Sequence, residues 1–127
     1  MAQADKWVMI PSPAGPFSLV DPAARLVFGL IWNRCRLSAR NVLKGDSRWC
    51  DDLGRVYCVY SHAELAEHSG MTDRTVRRCL KTLEDHGILT WEKSDFRAAN
   101  KYFVSGLVRA YLAPAVGKKD NPQTPAQ

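Results

Sequence analysis

A chain of 127 residues, 46% hydrophobic and 24% charged, has apolar side chain enough for one core and is too short for two ordinary domains. No apolar run approaches the roughly 20 residues of a membrane-spanning helix, and the opening "MAQADKWVMIPSP" lacks the basic and apolar regions of a signal peptide, so a cytoplasmic protein without a membrane partner is expected. The net charge of +5 leans towards an acidic partner.

Residues 1–16 are rich in proline, end in "PSPAGP" and read as an extended N-terminal arm, with Trp7, Val8 and Ile10 apolar enough to pack down. Asp21-Pro22 is a helix start, an N-cap acceptor followed by proline at the first helical position. Beyond it Leu26, Val27, Leu30, Ile31 and Leu37 recur at helical spacing, more than a single stripe, which predicts a central helix or one facing a second subunit. Residues 38–54 are mostly polar with Gly45, Asp46 and Gly54, and read as a long loop or a short irregular helix. The basic residues Arg34, Arg36, Arg40, Lys44, Arg48 and Arg55 in this neighbourhood, offset by Asp46, Asp51 and Asp52, are read as a scattered solvated set, with a second DNA-backbone contact as the alternative.

"RVYCVY" at 55–60 alternates β-branched and aromatic residues and predicts a strand. Ser61 with Glu64 three residues on is a capping box ahead of a short helix. A second helix follows, capped by Thr72 or Asp73 and ended by Gly87. Small Ala66 where the helices would cross, Gly70 in the turn, and Leu65, Met71, Val76 and Cys79 at the facing positions complete a helix-turn-helix, with polar Ser69 the one departure. "ILTWEK" and "KYFV", separated by "SDFRAAN", predict a hairpin; Ser105 caps a last helix that Pro114 breaks. Residues 117–127 are a polar tail with little reason to fold. The expected fold is therefore α+β, mostly helical: a winged helix-turn-helix over 17–116 between the arm and the tail.

Around the second helix, at about 100° per residue, Thr72, Val76, Cys79, Leu80 and Leu83 share one side, which is the expected core side. Arg74, Arg77, Arg78 and Lys81 cover the opposite side, flanked by Thr75. This order is poor for the helix, whose N-terminal half prefers carboxylates. Arg74/Arg78 and Arg77/Lys81 are like-charge pairs at i,i+4, each unfavourable by about 0.2–0.5 kcal/mol. A helix whose N-terminal half enters the major groove of double-stranded DNA needs such donors there, because arginine takes guanine O6 and N7 through two hydrogen bonds. Thr72, Arg74, Thr75, Arg77, Arg78 and Lys81 are the expected contacts of the recognition helix, and Lys93, Arg97, Asn100 and Lys101 those of the wing. Phe96 at the hairpin tip is unusual for a solvated turn.

Enzyme chemistry finds no footing. His62, His68 and His86 stand beside no nucleophile arrangement, and no glycine-rich phosphate loop is present. The four cysteines form no CxxC pair, and Cys50, Cys58 and His62 do not make the compact pairs of a zinc site, so no metal or cofactor is expected and the thiols are read as small buried side chains.

With these residues in view, the chain resembles the N-terminal domain of the replication initiator A family of plasmids and related mobile elements. "RCRLSARN" is similar to the family's Leu-Ser-x-x-Asn segment, "DDLGRVYCVYSHAELAEHSG" to its Asp-x-x-Gly-Arg-x-Tyr strand and following helix, "TVRRCLKTLEDHGIL" to its recognition helix, and "NKYFV" to the closing wing strand. The likeness covers about residues 17–104. It implies a bacterial origin-binding module that docks on repeated DNA sites, often as a homodimer, with its DNA-reading positions within 72–81 and 93–101. Members usually continue into a further domain that recruits replication proteins of the host. A small transcriptional repressor on the same fold, or a winged helix that binds an acidic protein, would carry much the same surface.

Overall fold

The computed structural model describes residues 8–45, 55–93 and 99–113, with the backbone alone for 38–42. Helix α1 (Pro22–Leu43) comes first, then strand β1 (Cys58–Ser61), helices α2 (His62–Ser69) and α3 (Asp73–Asp85), strands β2 (Leu89–Lys93) and β3 (Ala99–Val104), and helix α4 (Gly106–Leu112). The strands form one antiparallel sheet in the order β1-β3-β2. A helix-turn-helix closed by a two-stranded hairpin, with a third strand leading into it, is the winged-helix arrangement expected.

Helix α1 starts where the Asp-Pro pair predicts: Asp21 Oδ2 accepts the Ala24 amide at 3.4 Å. Its fully buried stripe is Ala24, Val27, Phe28, Ile31 and Cys35, spaced i, i+3, i+4, i+7, i+11. The stripe is rotated from the one anticipated: Leu26 and Leu30 are half-buried and Leu37 is exposed. The helix also runs through residues 38–43, a continuation of α1 rather than the long loop or separate irregular helix expected, because "SARNVL" holds neither glycine nor proline and the break waits for Gly45, at φ +96°. Ahead of α1, the described part of the arm, from residue 8 on, lies on the protein. Arg25 Nη1 donates to the Pro11 carbonyl at 3.1 Å, and the Met9 carbonyl crosses so close to Gly29 that a Cβ there would sit 2.6 Å from it. Trp7, the turn residues 46–54, the wing tip 94–98 and residues 114–127 lie outside the described residues.

The strand predicted at 55–60 is shorter and later, an isolated bridge at Val56 followed by β1. The capping box of α2 is complete: Ser61 Oγ accepts the Glu64 amide at 3.0 Å and Glu64 Oε1 accepts the Ser61 amide at 3.3 Å. Gly70 makes the turn at φ +73°. Ser69 strengthens that turn; its hydroxyl donates to the Ala66 carbonyl and accepts the Met71 amide. Thr72 caps α3 by accepting the Thr75 amide at 3.2 Å. At the other end the Ile88 amide reaches the Leu83 carbonyl and the Gly87 amide the Glu84 carbonyl, a Schellman closure with Gly87 at φ +70°. Helix α4 ends at Leu112, and Ala113 is extended (ψ 137°), as a residue before proline prefers.

The core lies where α1, α3 and the inner face of the sheet meet: Leu65 of α2, Val76, Cys79, Leu80 and Leu83 of α3, Leu89 and Tyr102 of the sheet, all on the α1 stripe. Cys35, Cys58 and Cys79 are buried free thiols, which is the small-side-chain reading of the cysteines; Cys50 lies outside the described residues. Burial pushes the Cys58 and Cys79 thiols up from their ordinary value.

Candidate nucleic-acid interface

The core stripe of α3 fixes which way its other side faces. With Val76, Cys79, Leu80 and Leu83 buried, Arg74, Arg77, Arg78 and Lys81 are all exposed, one basic surface over the N-terminal half and middle of the helix. Thr72 is exposed at the helix start rather than on the core side, because its hydroxyl is committed to the cap and to Thr75 Oγ1 at 3.1 Å; Thr75 is half-buried.

The charge order does not leave these residues in mutual repulsion. Arg77 Nε donates to Asp73 Oδ2 at 2.6 Å and Lys81 Nζ to Asp85 Oδ1 at 3.5 Å, both at i,i+4. Arg78 leaves its helix altogether: Nη1 and Nη2 donate to Oδ1 and Oδ2 of Asp21 at 3.4 and 3.2 Å. Arg74 has no ion pair among the described residues. The expectation that the basic face simply burdens its own helix is therefore corrected, because an acidic residue lies one turn before Arg77 and one turn after Lys81. The partnership of Arg78 with Asp21, 57 positions away, had no signal in the sequence beyond the capping role of Asp21.

The wing residues separate. Lys93 is exposed at the end of β2, opposite Asn100 in the register. Lys101 lies on the outer face of β3, across from Val59 and Glu92, with its ammonium 4.9 Å from the Tyr57 ring centroid. Arg97 and Phe96 lie outside the described residues. Asn100 corrects the wing reading: it is only 5% exposed and turns inward, where its Nδ2 lies 3.3 Å from His62 Nε2 and 3.4 Å from the Tyr102 hydroxyl. The pleat puts Asn100 on the same face as Tyr102 and Val104, so it joins sheet to helix rather than meeting a ligand.

His62, the first residue of α2, is half-buried. It packs edge-on against Trp91, ring centroids 5.8 Å apart. Burial, and next the nearby Arg77 charge, lower its pKa from the ordinary histidine value, while Asp73 opposes the shift. With Asn100 donating to Nε2, the imidazole is neutral and carries its proton on Nδ1. Arg34, counted among scattered charges, is a joint of the fold: it lies 3.6 Å over the Tyr60 ring and donates to the Val59 carbonyl and Glu64.

Residues 14–113 match the family model described as the N-terminus of replication initiator protein A (RepA). The chain belongs to that family. Solved structures repeat the initiator-domain fold. "N-Terminal domain of DNA binding protein" shares 20% identity at a TM-score of 0.58, covering 95% of this chain and 91% of that one. "Structure of Rep-DNA complex" shares 18% at 0.56, covering 94% and 91%. "Structure of MDR initiator" shares 18% at 0.56, covering 93% and 92%. Comparison with curated proteins finds no match. No helix among the described residues of this initiator domain is long and apolar enough to cross a membrane.

Proposed function

We propose that this chain is the sequence-specific, double-stranded-DNA-binding module of a bacterial plasmid or mobile-element replication initiator, a binding domain rather than an enzyme, at work in the cytoplasm. The observation that carries the reading is the initiator family match over residues 14–113, which includes the whole helix-turn-helix and both described wing strands. The chemistry of α3 fits it. An exposed basic face over the first half of the helix meets base edges and phosphates when that half lies in the major groove, and Lys93 is exposed beside it on the wing. Host replication proteins are the expected further partners of such an initiator.

A homodimer is part of the proposal, and the exposed apolar side chains of α4 support a surface for it there. The apolar stripe of α1 is spent on the core, whereas α4 presents Leu107, 85% exposed, and Tyr111.

Anisotropy of labelled duplex DNA across a salt series tests the reading, and the stoichiometry of the same titration reads the dimer. Binding should be micromolar or tighter, with log K falling steeply against log salt. Arg74, on the exposed face and without an ion pair among the described residues, is assigned to phosphate. Arg74→Ala should weaken binding to all duplexes alike and lower the salt slope by about 1. Feeble binding, equal in wild type and variant, would instead move the search to acidic protein partners.

A further inference from the structure

Of the four basic residues on α3, Arg78 is held from outside its own helix. Both oxygens of Asp21 face two different nitrogens of its guanidinium, the geometry that orients the planar fork. Asp21 is itself anchored. It caps α1 through the Ala24 amide, it precedes Pro22, and α1 is the helix on which α3 packs through Val76, Cys79, Leu80 and Leu83. The Arg78 hydrogen bond is the largest influence holding the Asp21 carboxyl below the usual carboxylate range, so the pair stays charged at neutral pH.

The pair is nevertheless in solvent, with side chains 54% and 40% exposed, and an ion pair so exposed does little for the fold. It is also unsuited to gripping phosphate, because the carboxylate cancels the arginine's charge and repels the DNA backbone. What it does supply is direction. Asp21 takes one N–H from each terminal nitrogen, Nη2 also donates to Cys79 Sγ at 3.6 Å, and Arg78 Nε–H has no partner among the described residues.

We propose that Asp21 is a positioning residue that orients the Arg78 guanidinium to read one guanine, which makes Arg78 a specificity residue and leaves phosphate contact to Arg74. The proposal rests on the reading of α3 as the helix that enters the major groove. It adds to that reading a division of labour among arginines that look alike in the sequence.

The test is selection of bound sites from a random duplex library by the full chain, in parallel with Asp21→Asn and Arg78→Lys. Asparagine caps a helix as well as aspartate, so Asp21→Asn keeps the start of α1 and removes only the charge that holds Arg78. Wild type should enrich a motif containing a guanine. In both variants preference at that one base pair should fall by about 5- to 150-fold, the value of a bidentate base contact, with the rest of the motif intact. The salt slope should not become shallower in Asp21→Asn. An unchanged motif bound uniformly more tightly by Asp21→Asn would overturn the proposal, since Asp21 would then be only an opposing charge. Losses at different base pairs in the two variants would overturn it as well. A wild type that enriches no motif would sink the DNA-reading function and this inference together, whereas an enriched motif that Asp21→Asn leaves intact sinks the inference alone.

Discussion

At the scale of single residues, His62 shows how an unremarkable histidine becomes a joint of the fold. Its Nε2 accepts from the Asn100 amide, and a protonated ring would turn a donor towards that donor. Its folded pKa lies below the ordinary value of 6.5, so the unfolded chain binds the proton more readily than the folded one. The stabilisation from the neutral ring is therefore complete above 6.5 and is lost as pH falls through 6.5 to the folded value. Urea midpoints measured from pH 7.5 to 5.5 should fall in the wild type, and fall less in His62→Gln. Equal slopes would mean that the ring is not held neutral. Asp21, also lowered, acts in the same direction but around and below its ordinary 3.8, well clear of that window.

At the scale of the element, α3 is where charge order and charge partners give opposite answers. Repulsion alone predicts that Arg77→Ala leaves folding unchanged or improves it. The 2.6 Å contact from Arg77 to Asp73 is instead an acid-before-base pair at i,i+4, the favourable orientation, worth about 0.2–0.5 kcal/mol. Arg77→Ala should consequently lower stability by about 0.2–0.5 kcal/mol at most, the value of one such pair, while Leu83→Ala in the same helix should cost about 2–5 kcal/mol by opening the core. Urea denaturation of the two variants side by side reads both numbers. An Arg77→Ala protein more stable than wild type would restore the repulsion argument.

The whole molecule depends on the arm as well as on the winged helix. Residues 8–14 hold no regular element, yet they cross α1 where Gly29 leaves room for a carbonyl. A methyl group at 29 would lie 2.6 Å from backbone, which cannot yield as a flexible side-chain end can. Gly29→Ala should therefore lift the arm with α1 intact, raising amide exchange at residues 8–14 while the helical circular dichroism is kept. Unchanged protection of the arm would show that it reaches α1 by other contacts, such as Arg25 to the Pro11 carbonyl.

Much of this was legible in the chain itself because local rules act over three or four residues. The Asp21-Pro22 start, the Ser61–Glu64 capping box, the positive φ at Gly70 and the Gly87 closure are each set by neighbours in sequence, and each stands where the residues place it. The buried and basic faces of α3 follow from helical period in the same way. Tertiary packing decided the rest. It rotated the α1 stripe onto Ala24 and Phe28, turned Asn100 inward to His62, laid the arm across Gly29, and set Asp21 against Arg78. Those contacts join residues far apart in the chain, and their geometry exists only once α1, α3 and the sheet have closed on one core; helical period locates the basic face of α3, and packing determines how Arg78 on it is held.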